Sequence, residues 1–405
     1  MQFLAGSTTI TIAPLKILVV HNRYKYRGGE DAVVDAEVDL LRRYDHSVNV
    51  YARSNDELQT LSLPNDALRA LWSMRTVHDL ECLIQQQRPD IVHVHNTWPL
   101  VSPSLYWAVH RAKIPLVQTL HNFRLLCPQG LMLREGRVCE SCVGHIPWRA
   151  VRFKCYRNDI AASVVVAAMV QSHRVLGTWR RRVTRYIALS EFSKTRFVQG
   201  GLPAERISVK PNFVDVPKPL LGPRNNFLFV GRLSTEKGLA VLARAASQLP
   251  SGVLIEVAGS GPEASRLQNH PNIALLGHLQ PHEVYRKMGS ARALVLPSIV
   301  YENHPRTLVE AYACSLPVIA SRLGGMIDLV RHNETGLLFD AGNPEDLAMQ
   351  LRWASENPER MLAMGDAAHA YYRNHLTGPV NHGLLLGIYQ QAIAESGWPN
   401  SRVLQ

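Results

Sequence analysis

The chain has 405 residues, 46% of them hydrophobic and 19% charged, and a formal net charge of +11. The length indicates two or three domains, and the composition excludes a collagen-like, low-complexity or intrinsically disordered chain. The excess of basic residues lies in residues 1–215, which hold 28 Lys or Arg against 18 Asp or Glu, so we expect this half to meet an acidic partner.

Residues 1–14 are expected to form a loose extension ahead of the first strand. They lack a basic leader and do not resemble a signal peptide. No later apolar run reaches the ~18 residues that a membrane span needs. These features favour a cytoplasmic protein.

Strand and helix patterns alternate through the first half. Short apolar runs predict strands at KILVVHN (16–22), PDIVHVHN (89–96), IPLVQTLHN (114–122) and at the start of RYIALSEFSKTRFVQ (185–199), with helical patterns between them. The most basic stretch, HRVLGTWRRRVTRY (173–186), is open to three interpretations. It could be a solvated helix face, an interfacial helix on anionic lipid headgroups, or a nucleic-acid contact, although no nucleic-acid motif accompanies it.

Prolines and a glycine cluster in residues 210–226, which we interpret as a linker. The second half then restarts with the strand NFLFVGR, and four further strands alternate with helices before a final amphipathic helix. Alternating strands and helices predict parallel sheets covered on both faces. The sequence therefore predicts an α/β protein with two Rossmann-like domains that face a cleft.

In such sheets, ligands bind beyond the carboxyl ends of the strands. In FVGRLSTEKG, Arg232 and Lys237 follow a strand end, and two cations beside a tight turn suit a diphosphate. Taken alone, this pair is equally explained as exposed residues near a helix start. The glycine turn at Gly259 is only weak evidence for a ligand-binding loop. The segment around His278 and Leu279 suits main-chain recognition of a nucleobase.

The stretch YENHPRTLVEA carries Glu302 and Glu310 on either side of Pro305. Proline suits the first turn of a helix because it needs no amide donor there. We therefore expect Glu302 in a loop and Glu310 in a helix. The first amides of that helix, including those of Thr307 and Leu308, would form an anion site.

Together these segments resemble the family-4 retaining glycosyltransferases of the GT-B fold (glycosyl transferases group 1), over about residues 15–395. The motifs that carry the resemblance are GGE, DIVHVHN, TLHNFRLLCP, ALSEFSK, GRLSTEKG, AGSGPE, the Glu302–Glu310 spacing and CSLPVIASRLGG. The resemblance implies an acceptor-binding domain (15–217), a nucleotide-sugar-binding domain (218–378) and a C-terminal helix (379–405) that crosses back to the first domain.

The resemblance also implies an activity. A sugar would pass from a nucleotide-diphosphate donor to a glycan or polyprenyl-linked saccharide with retention of configuration, without a catalytic metal, in bacterial surface polysaccharide synthesis. We also expect peripheral contact with an anionic membrane, and we expect no binding of nucleic acid. A GT-B nucleotide-sugar epimerase and an inactive carbohydrate- or lipid-binding relative are the alternatives.

Four residues of the second half receive roles from the resemblance. Glu302 is expected to contact hydroxyls of the donor sugar, and Glu310 to hold the ribose. Arg232 and Lys237 are expected to neutralise the diphosphate, with support from the helix amides.

In the first half, Gly28 and Gly29 match a loop whose backbone approaches phosphate and sugar. His121 matches a cleft histidine that contacts the donor sugar, and the alternative is a packed histidine at a strand end. His93 and His95 lie on one strand face, where core roles are at least as reasonable.

Three residues depart from the family pattern and leave the donor sugar in doubt. Asn303 and His304 replace a pair that usually contains glycine, and Asp328 stands where glutamate is common. We interpret the Asn303–His304 pair as the place to look for donor choice.

Four cysteines cluster in the first half: Cys127, Cys139, Cys142 and Cys155, with a CxxC in the middle. In a chain without a secretion signal, such clustering favours a structural metal, here zinc, over disulfides. Free structural thiols and an Fe–S or redox role are the alternatives. Our hypothesis is that the cluster stiffens an acceptor loop.

Overall fold

The structure is a computed structural model that describes residues 13–57, 64–216 and 222–397. Most of the predicted N-terminal extension, part of the predicted linker and the last residues of the chain therefore lie outside the described residues. Within these ranges, no helix combines the length and the apolar character needed to cross a membrane.

Among the described residues, the first domain contains eight strands and eight α-helices. The strands are β1 (Lys16–Arg23), β2 (Ser47–Ser54), β3 (Ile91–Val94), β4 (Leu116–Leu120), β5 (Leu133–Arg134), β6 (Arg137–Val138), β7 (Arg185–Ala188) and β8 (Ile207–Val209). The helices are α1 (Gly29–Arg43), α2 (Pro64–Leu71), α3 (Met74–Gln87), α4 (Ser104–Arg111), α5 (Trp148–Arg152), α6 (Ile160–Val175), α7 (Thr178–Arg181) and α8 (Glu191–Gln199). Six strands form a parallel sheet in the order β2-β1-β3-β4-β7-β8, and β5 and β6 form a separate hairpin.

The second domain repeats this design. Its strands are β9 (Phe227–Val230), β10 (Ile255–Ala258), β11 (Ile273–Gly277), β12 (Ala293–Leu296), β13 (Val318–Ser321) and β14 (Gly336–Phe339). Its helices are α9 (Leu239–Ala246), α10 (Pro281–Ser290), α11 (Arg306–Ala313), α12 (Met326–Leu329), α13 (Pro344–Glu356) and α14 (Pro358–His375). The parallel sheet has the order β11-β10-β9-β12-β13-β14, the Rossmann order, which reverses direction between β9 and β12.

The strands of this sheet are apolar on both faces because helices cover both faces. On β9, Phe227 and Phe229 enter one hydrophobic core, whereas Leu228 enters the core on the opposite side of the sheet. Burial of both faces explains why the strands appear in the sequence as continuous apolar runs rather than alternating ones.

A last helix, α15 (Gly378–Ser396), returns to the first domain. Leu385, Tyr389 and Ala392 pack in the same core as Ile17 and Val19 of β1. This packing places α15 behind the first sheet, and Glu395 in its last turn pairs with Arg185 at the amino end of β7.

The basic stretch 173–186 is not one helix. Helix α6 ends at Val175, Gly177 takes a left-handed φ of 70°, and β7 begins at Arg185. Arg185 is buried and pairs with Glu395 at 2.7 Å. The interpretations of this stretch as one solvated or interfacial helix are therefore wrong.

Candidate active site

The crevice between β9 and β12 brings a lysine and a glutamate together. The polypeptide leaves these two strands in different directions, so a crevice opens at their carboxyl ends. Lys237 follows β9 and Glu302 follows β12, and Lys237 Nζ lies 2.6 Å from Glu302 Oε1. The hydroxyl of Ser298 donates to the same oxygen at 2.8 Å. Sequence reasoning overlooked Ser298, although it too follows a strand end.

Both side chains keep capacity for a ligand. An ammonium group has three N–H donors, and the contact with Glu302 uses one of them. The two hydrogen bonds to Glu302 both end on Oε1, which leaves Oε2 as an acceptor for a sugar hydroxyl. The pair can therefore meet an anion and a hydroxyl at the same time.

Arg232 lies at the rim of the same crevice. Its side chain is 70% exposed and its Nη2 donates to Glu236 at 2.8 Å. Burial by itself raises the pKa of Glu236, but hydrogen bonds from Ser234 and Arg232 outweigh it and lower that pKa. Glu236 is therefore a charged partner that orients the guanidinium while leaving it accessible.

Helix α11 begins directly after Pro305, so Glu302 lies in a loop and Glu310 in the helix, as predicted. Glu310 is 9% exposed, and Arg306 Nε donates to its Oε1 at 2.9 Å. Burial raises the pKa of Glu310, while Arg306 opposes that shift. The side chain of Arg306 is a second feature that sequence reasoning missed, and the i, i+4 spacing would have indicated it.

The amides at the start of α11 are not equivalent. The amide of Leu308 donates to the carbonyl of Pro305 at 3.1 Å, and the Leu308 side chain is fully buried. Thr307 is only half-buried. Of the two predicted anion-binding positions, Thr307 is therefore the more accessible.

A glycine pair holds the loop that carries Glu302. The amide of Gly325 donates to the carbonyl of Glu302 at 2.6 Å, and Gly324 has a φ of +63°. A Cβ added to Gly325 would lie 1.9 Å from the carbonyl oxygen of Asn303. Only glycine permits this approach, so the pair fixes the backbone of Glu302.

The remaining predicted positions of the second domain lie around the same end of the sheet. A Cβ on Gly259 would lie 1.9 Å from the carbonyl oxygen of Gly231, so packing alone requires glycine there. His278 is exposed and Leu279 half-buried, directly after the edge strand β11. Their main-chain groups are therefore accessible.

In the first domain, the predicted glycine loop lies before α1. The amide of Gly28 donates to Asp31 Oδ2 at 2.9 Å. A Cβ added to Gly29 would meet no protein atom within 4 Å. In contrast to Gly325, nothing in the packing requires a glycine at this position, which leaves room for a ligand.

His121 lies at the carboxyl end of β4, and its Nε2 is 2.9 Å from Nδ1 of His95. Burial lowers the pKa of His121 well below its ordinary value, and the neighbouring His95 lowers it further. His121 also lines a small cavity together with Asn122, Arg124 and Trp179. It therefore presents a neutral imidazole at the end of the first sheet.

Comparison with known proteins assigns the chain to a family. Residues 27–218 match the family model of glycosyltransferase family 4, and residues 215–371 match that of glycosyl transferases group 1. The chain belongs to the family-4 glycosyltransferases. This glycosyltransferase also resembles solved structures. Anabaena Alr3699/HepE in complex with UDP matches it with 18% identity and a TM-score of 0.65, over 92% of this chain and 99% of that chain. A sucrose-phosphate synthase from Thermosynechococcus elongatus matches it with 16% identity and a TM-score of 0.70, over 93% of this chain and 99% of that chain. The predicted GT-B fold is confirmed.

Curated relatives of the glycosyltransferase have several specificities. A sulfoquinovosyl transferase from Arabidopsis thaliana is 26% identical over 298 residues, which cover 70% of this chain and 53% of the relative. A D-inositol 3-phosphate glycosyltransferase from Rhodococcus opacus (strain B4) is 28% identical over 316 residues, covering 73% and 66%. The chain thus spans between half and two thirds of the length of these two relatives.

Behind His121, the glycosyltransferase contains a buried ionic cluster. Lys210 Nζ lies 2.9 Å from Oε2 of Glu37, while His93 Nδ1 and His95 Nε2 lie 3.1 and 3.4 Å from Oε1. Burial alone would raise the pKa of Glu37, but Lys210 and His93 hold it well below its usual range. Burial, helped by the charge of His93, lowers the pKa of His95 to about 3.

This cluster does not fit a metal ion. Among the described residues, Glu37, His93 and His95 are a group whose potential ligand atoms all lie within 4.8 Å of one another. The ammonium of Lys210 already supplies the positive charge at Glu37, and a divalent cation beside it would be repelled. A core or structural role of His93 and His95 therefore stays the prediction that these contacts favour.

The residues that depart from the family pattern lie at the junction of the domains. Asn303 is buried and its Nδ2 donates to the carbonyl of His121 at 2.8 Å. His304 is also buried, and its carbonyl accepts a hydrogen bond from Asn212 at 3.0 Å. These contacts tie the Glu302 loop to the first domain, and the Asn303–His304 pair as the place to look for donor choice stays a prediction.

Two further contacts join the domains of the glycosyltransferase. The hydroxyl of Tyr301 donates to Glu140 at 2.7 Å, and Asp328 accepts from the amide of Phe192 at 2.7 Å. Arg196 lies 3.3 Å from Glu140. The neighbour of Glu302 in the chain is therefore held by a loop of the first domain.

That loop contains the four clustered cysteines. All four are free thiols, and Cys142 is buried. Burial raises the pKa of Cys142 to about 11, with smaller contributions from the neighbouring Cys127, Cys139 and Cys155. Among the described residues, the four sulfurs do not form a group of potential metal ligands within 4.8 Å of one another.

Proposed function

We propose that this protein transfers a sugar from a nucleotide-diphosphate donor to a glycan or lipid-linked saccharide, with retention of the anomeric configuration, in the synthesis of a bacterial surface polysaccharide. The observation that carries the proposal is the 2.6 Å pair of Lys237 and Glu302 at the point where the strand order reverses. A cation for the leaving group and an acceptor for sugar hydroxyls meet there, as transfer from such a donor requires.

The leaving group needs electrostatic stabilisation as the glycosidic bond breaks. In the proposal, Lys237 and Arg232 neutralise the diphosphate, and the amide of Thr307 at the start of α11 donates to it. Preorganised positive charge of this kind does the work that a divalent metal does in other transferases. The orientation of Arg232 by Glu236, at 2.8 Å, supports its role.

The sugar and the nucleoside occupy the two sides of the diphosphate. Glu302 accepts from a sugar hydroxyl through Oε2, and the neutral imidazole of His121 approaches the sugar from the first domain. Glu310 holds the ribose, and main-chain groups near Gly259, His278 and Leu279 contact the base. The loop at Gly28 and Gly29 approaches the diphosphate and the sugar.

Retention follows if the acceptor attacks from the face that the diphosphate leaves. The departing phosphate then takes the acceptor proton, so the enzyme needs no pair of carboxylates like that of glycoside hydrolases. Contacts between the domains, such as Asn303 to His121, favour a closed cleft that excludes water and limits donor hydrolysis.

A surface of the first domain supports peripheral contact with an anionic membrane on the cytoplasmic side. Helix α6 exposes an apolar stripe at i, i+4, i+8 and i+15, formed by Ile160, Val164, Ala168 and Val175. Trp148, at the start of the neighbouring helix α5, is 54% exposed. Basic residues of the same segment flank these side chains: Arg149, Arg152, Lys154 and Arg157. Exposed aromatic and aliphatic groups beside such charges are typical of interfacial surfaces.

The deciding experiment has two stages. A thermal-shift screen of nucleotide sugars identifies the donor, because a ligand that binds the folded state raises the melting temperature. Release of the nucleoside diphosphate is then measured with and without a lipid-linked saccharide acceptor, and the anomer of the product is read by NMR. Release that needs the acceptor supports transfer, and an inverted product refutes retention. Epimerised donor without transfer would point to an epimerase, and binding without turnover to an inactive relative.

Membrane contact has its own test. Co-sedimentation with anionic vesicles is expected to fall when Val164 is replaced by glutamate. Leu362, which is 50% exposed on α14 of the other domain, provides the matched control. Equal binding of the two glutamate variants would contradict the assignment of this surface.

A further inference from the structure

A row of polar side chains links His121 to the core of the first domain. Its Nε2 lies 2.9 Å from Nδ1 of His95, and Nε2 of His95 faces Oε1 of Glu37 at 3.4 Å. The other oxygen of Glu37 accepts a hydrogen bond from Lys210 at 2.9 Å. His121 and His95 follow β4 and β3, Glu37 lies in α1, and Lys210 follows β8. This polar row (Lys210, Glu37, His95 and His121) therefore runs from the interior of the domain to the carboxyl ends of its strands.

The charges in the polar row determine where the proton of His95 lies. Burial lowers the pKa of His95 to about 3 and that of His121 well below its ordinary value, so both rings are neutral and each carries one proton. Burial alone would raise the pKa of Glu37, but Lys210 and His93 hold it well below its usual range. The carboxylate is therefore ionised and can only accept. Since a bare Nε2 of His95 would face a negatively charged oxygen, the proton of this ring lies on Nε2.

The contact between His95 and Glu37 is long for a hydrogen bond, at 3.4 Å. Nε2 of His95 is nevertheless buried, and it has no other hydrogen-bond partner among residues 13–57, 64–216 and 222–397. A buried N–H group without an acceptor costs free energy. The carboxylate of Glu37 is therefore the group towards which this proton points.

The proton of His95 in turn determines that of His121. With its proton on Nε2, His95 can only accept at Nδ1. The proton of His121 must then lie on its own Nε2, because two lone pairs 2.9 Å apart would repel each other. Nδ1 of His121 is left as an acceptor, and within the described part of the chain it has no hydrogen-bond partner and is not closed off from solvent. The backbone is held as well, since the carbonyl of His121 accepts from Asn303 at 2.8 Å.

We propose that Glu37, acting through His95, places the proton of His121 on Nε2 and thereby makes Nδ1 an acceptor for a hydroxyl of the donor sugar. The proposal rests on the proposed contact of His121 with that sugar. An ionised phosphate or a carboxylate has no proton to donate, so the same nitrogen disfavours these groups. Glu37 and His95 are both buried, so they are positioning residues that act on the sugar only through His121.

The substitution Glu37→Gln should move the protons of both rings. Lys210 can only donate, so the new amide oxygen is expected to face Lys210 and the new NH2 group to face His95. An NH2 group can only donate, so Nε2 of His95 becomes an acceptor and the proton of that ring moves to Nδ1. His121 must then carry its own proton on Nδ1. The site would present a donor where the wild type presents an acceptor.

Nitrogen NMR of protein labelled with ¹⁵N-histidine reads these protons without any ligand. The protonated and bare nitrogens of a neutral imidazole differ widely in chemical shift, and single substitutions of each histidine assign the signals. In the wild type we expect protonated Nε2 and bare Nδ1 in both His95 and His121, with a coupling across the N–H···N contact between the rings. In Glu37→Gln we expect the two nitrogens of each ring to exchange their shifts.

The first domain contains controls for this experiment. Nε2 of His173 lies 3.1 Å from the carbonyl of Leu71, which can only accept, so its proton should stay on Nε2 in every variant. Glu395→Gln is the matched variant, because it also removes a carboxylate that neutralises a buried cation, Arg185. This variant should leave the protons of the polar row unchanged.

Kinetics separate positioning from general damage to the fold. With the donor that the thermal-shift screen identifies, Glu37→Gln should raise KM for the nucleotide sugar about tenfold, because a hydrogen bond to the sugar is lost. Binding of the matching nucleoside diphosphate, which lacks the sugar, should stay within about twofold. Glu395→Gln should change neither quantity.

Three spectra would overturn the proposal: wild-type His121 with its proton on Nδ1, Glu37→Gln without the exchange of shifts, and Glu395→Gln with that exchange. Equal losses of affinity for the nucleotide sugar and the free nucleoside diphosphate in Glu37→Gln would also contradict it. If Glu37→Gln fails to fold, the wild-type shifts and the coupling between the rings decide. Failure of the sugar-transfer proposal would appear as absent turnover with the ring protons in their expected places, so the two proposals are separable.

Discussion

Replacing Lys237 with methionine should remove most of the catalytic rate while leaving the protein folded. The substitution keeps the length of the side chain and removes a charge that lies 2.6 Å from Glu302, in the crevice assigned to the diphosphate. A unit charge about 4 Å from a developing phosphate charge is worth about 4 kcal/mol at an effective dielectric constant of about 20. Loss of one preorganised donor at a developing anion costs about 2.7–4 kcal/mol. We therefore expect kcat/KM to fall by about 10²–10³.

The protein contains a matched control for this substitution. Lys287 pairs with Glu256 at 2.7 Å, and the two side chains are 30% and 15% exposed, against 28% and 16% for Lys237 and Glu302. Partly exposed ion pairs of this kind contribute about 0–1 kcal/mol to stability, so Lys237→Met and Lys287→Met should have similar small effects on the melting temperature.

Only position 237 should affect the rate. The assay measures acceptor-dependent release of nucleoside diphosphate over a range of donor concentrations. The reasoning is refuted if Lys237→Met keeps its kcat/KM within about threefold of the wild type, since that is under 1 kcal/mol. It is equally refuted if Lys287→Met loses as much rate.

Three further predictions concern the scaffold around the site. Glu37→Gln should lower the free energy of unfolding by about 3–5 kcal/mol, because it leaves the buried ammonium of Lys210 without its partner. In urea titrations the double variant with Lys210→Met should recover part of this loss, and a strictly additive loss would contradict the pairing. Gly325→Ala should lower kcat by about tenfold or more, because the added Cβ meets the carbonyl of Asn303; wild-type turnover would show that the Glu302 loop tolerates movement. His304 is buried, and burial together with the charge of Lys210 lowers its pKa to about 3. Between pH 6.5 and pH 3, His304 therefore binds a proton in the unfolded chain but not in the folded protein. Stability should therefore fall by up to about 1.4 kcal/mol per pH unit from this residue as the pH drops from 6.5 towards 3. His304→Leu should flatten that slope in urea titrations at several pH values, and an unchanged slope would refute the assignment.

Local patterns in the sequence were enough to predict the fold class. The continuous apolar runs at β1, β3, β9 and β12 indicated buried parallel strands, since strands covered on both faces need no polar side. Pro305 separated the loop of Glu302 from the helix of Glu310, because proline fits a helix start and not its interior. These conclusions depend on neighbours within a few residues, and such information is present in a single sequence.

The basic stretch shows where local patterns fail. Two of the three interpretations of residues 173–186 assumed a helix, but α6 ends before Gly177 and Arg185 begins a strand. The arginine is tolerated in the buried strand because Glu395 of the returning helix neutralises it at 2.7 Å. That partner is 210 positions away in the chain, so no window around the stretch could contain the signal.

The tertiary structure alone decided the partners of the site residues. Lys237 and Glu302 are 65 positions apart, Glu140 and Tyr301 are 161 apart, and Lys210 and Glu37 are 173 apart. Which of these pairs meet depends on the order of strands in each sheet and on how the domains pack, because the carboxyl ends of parallel strands gather side chains from distant segments. The sequence determined which residues stand at those strand ends, and the sheet order and domain packing determined which of them touch.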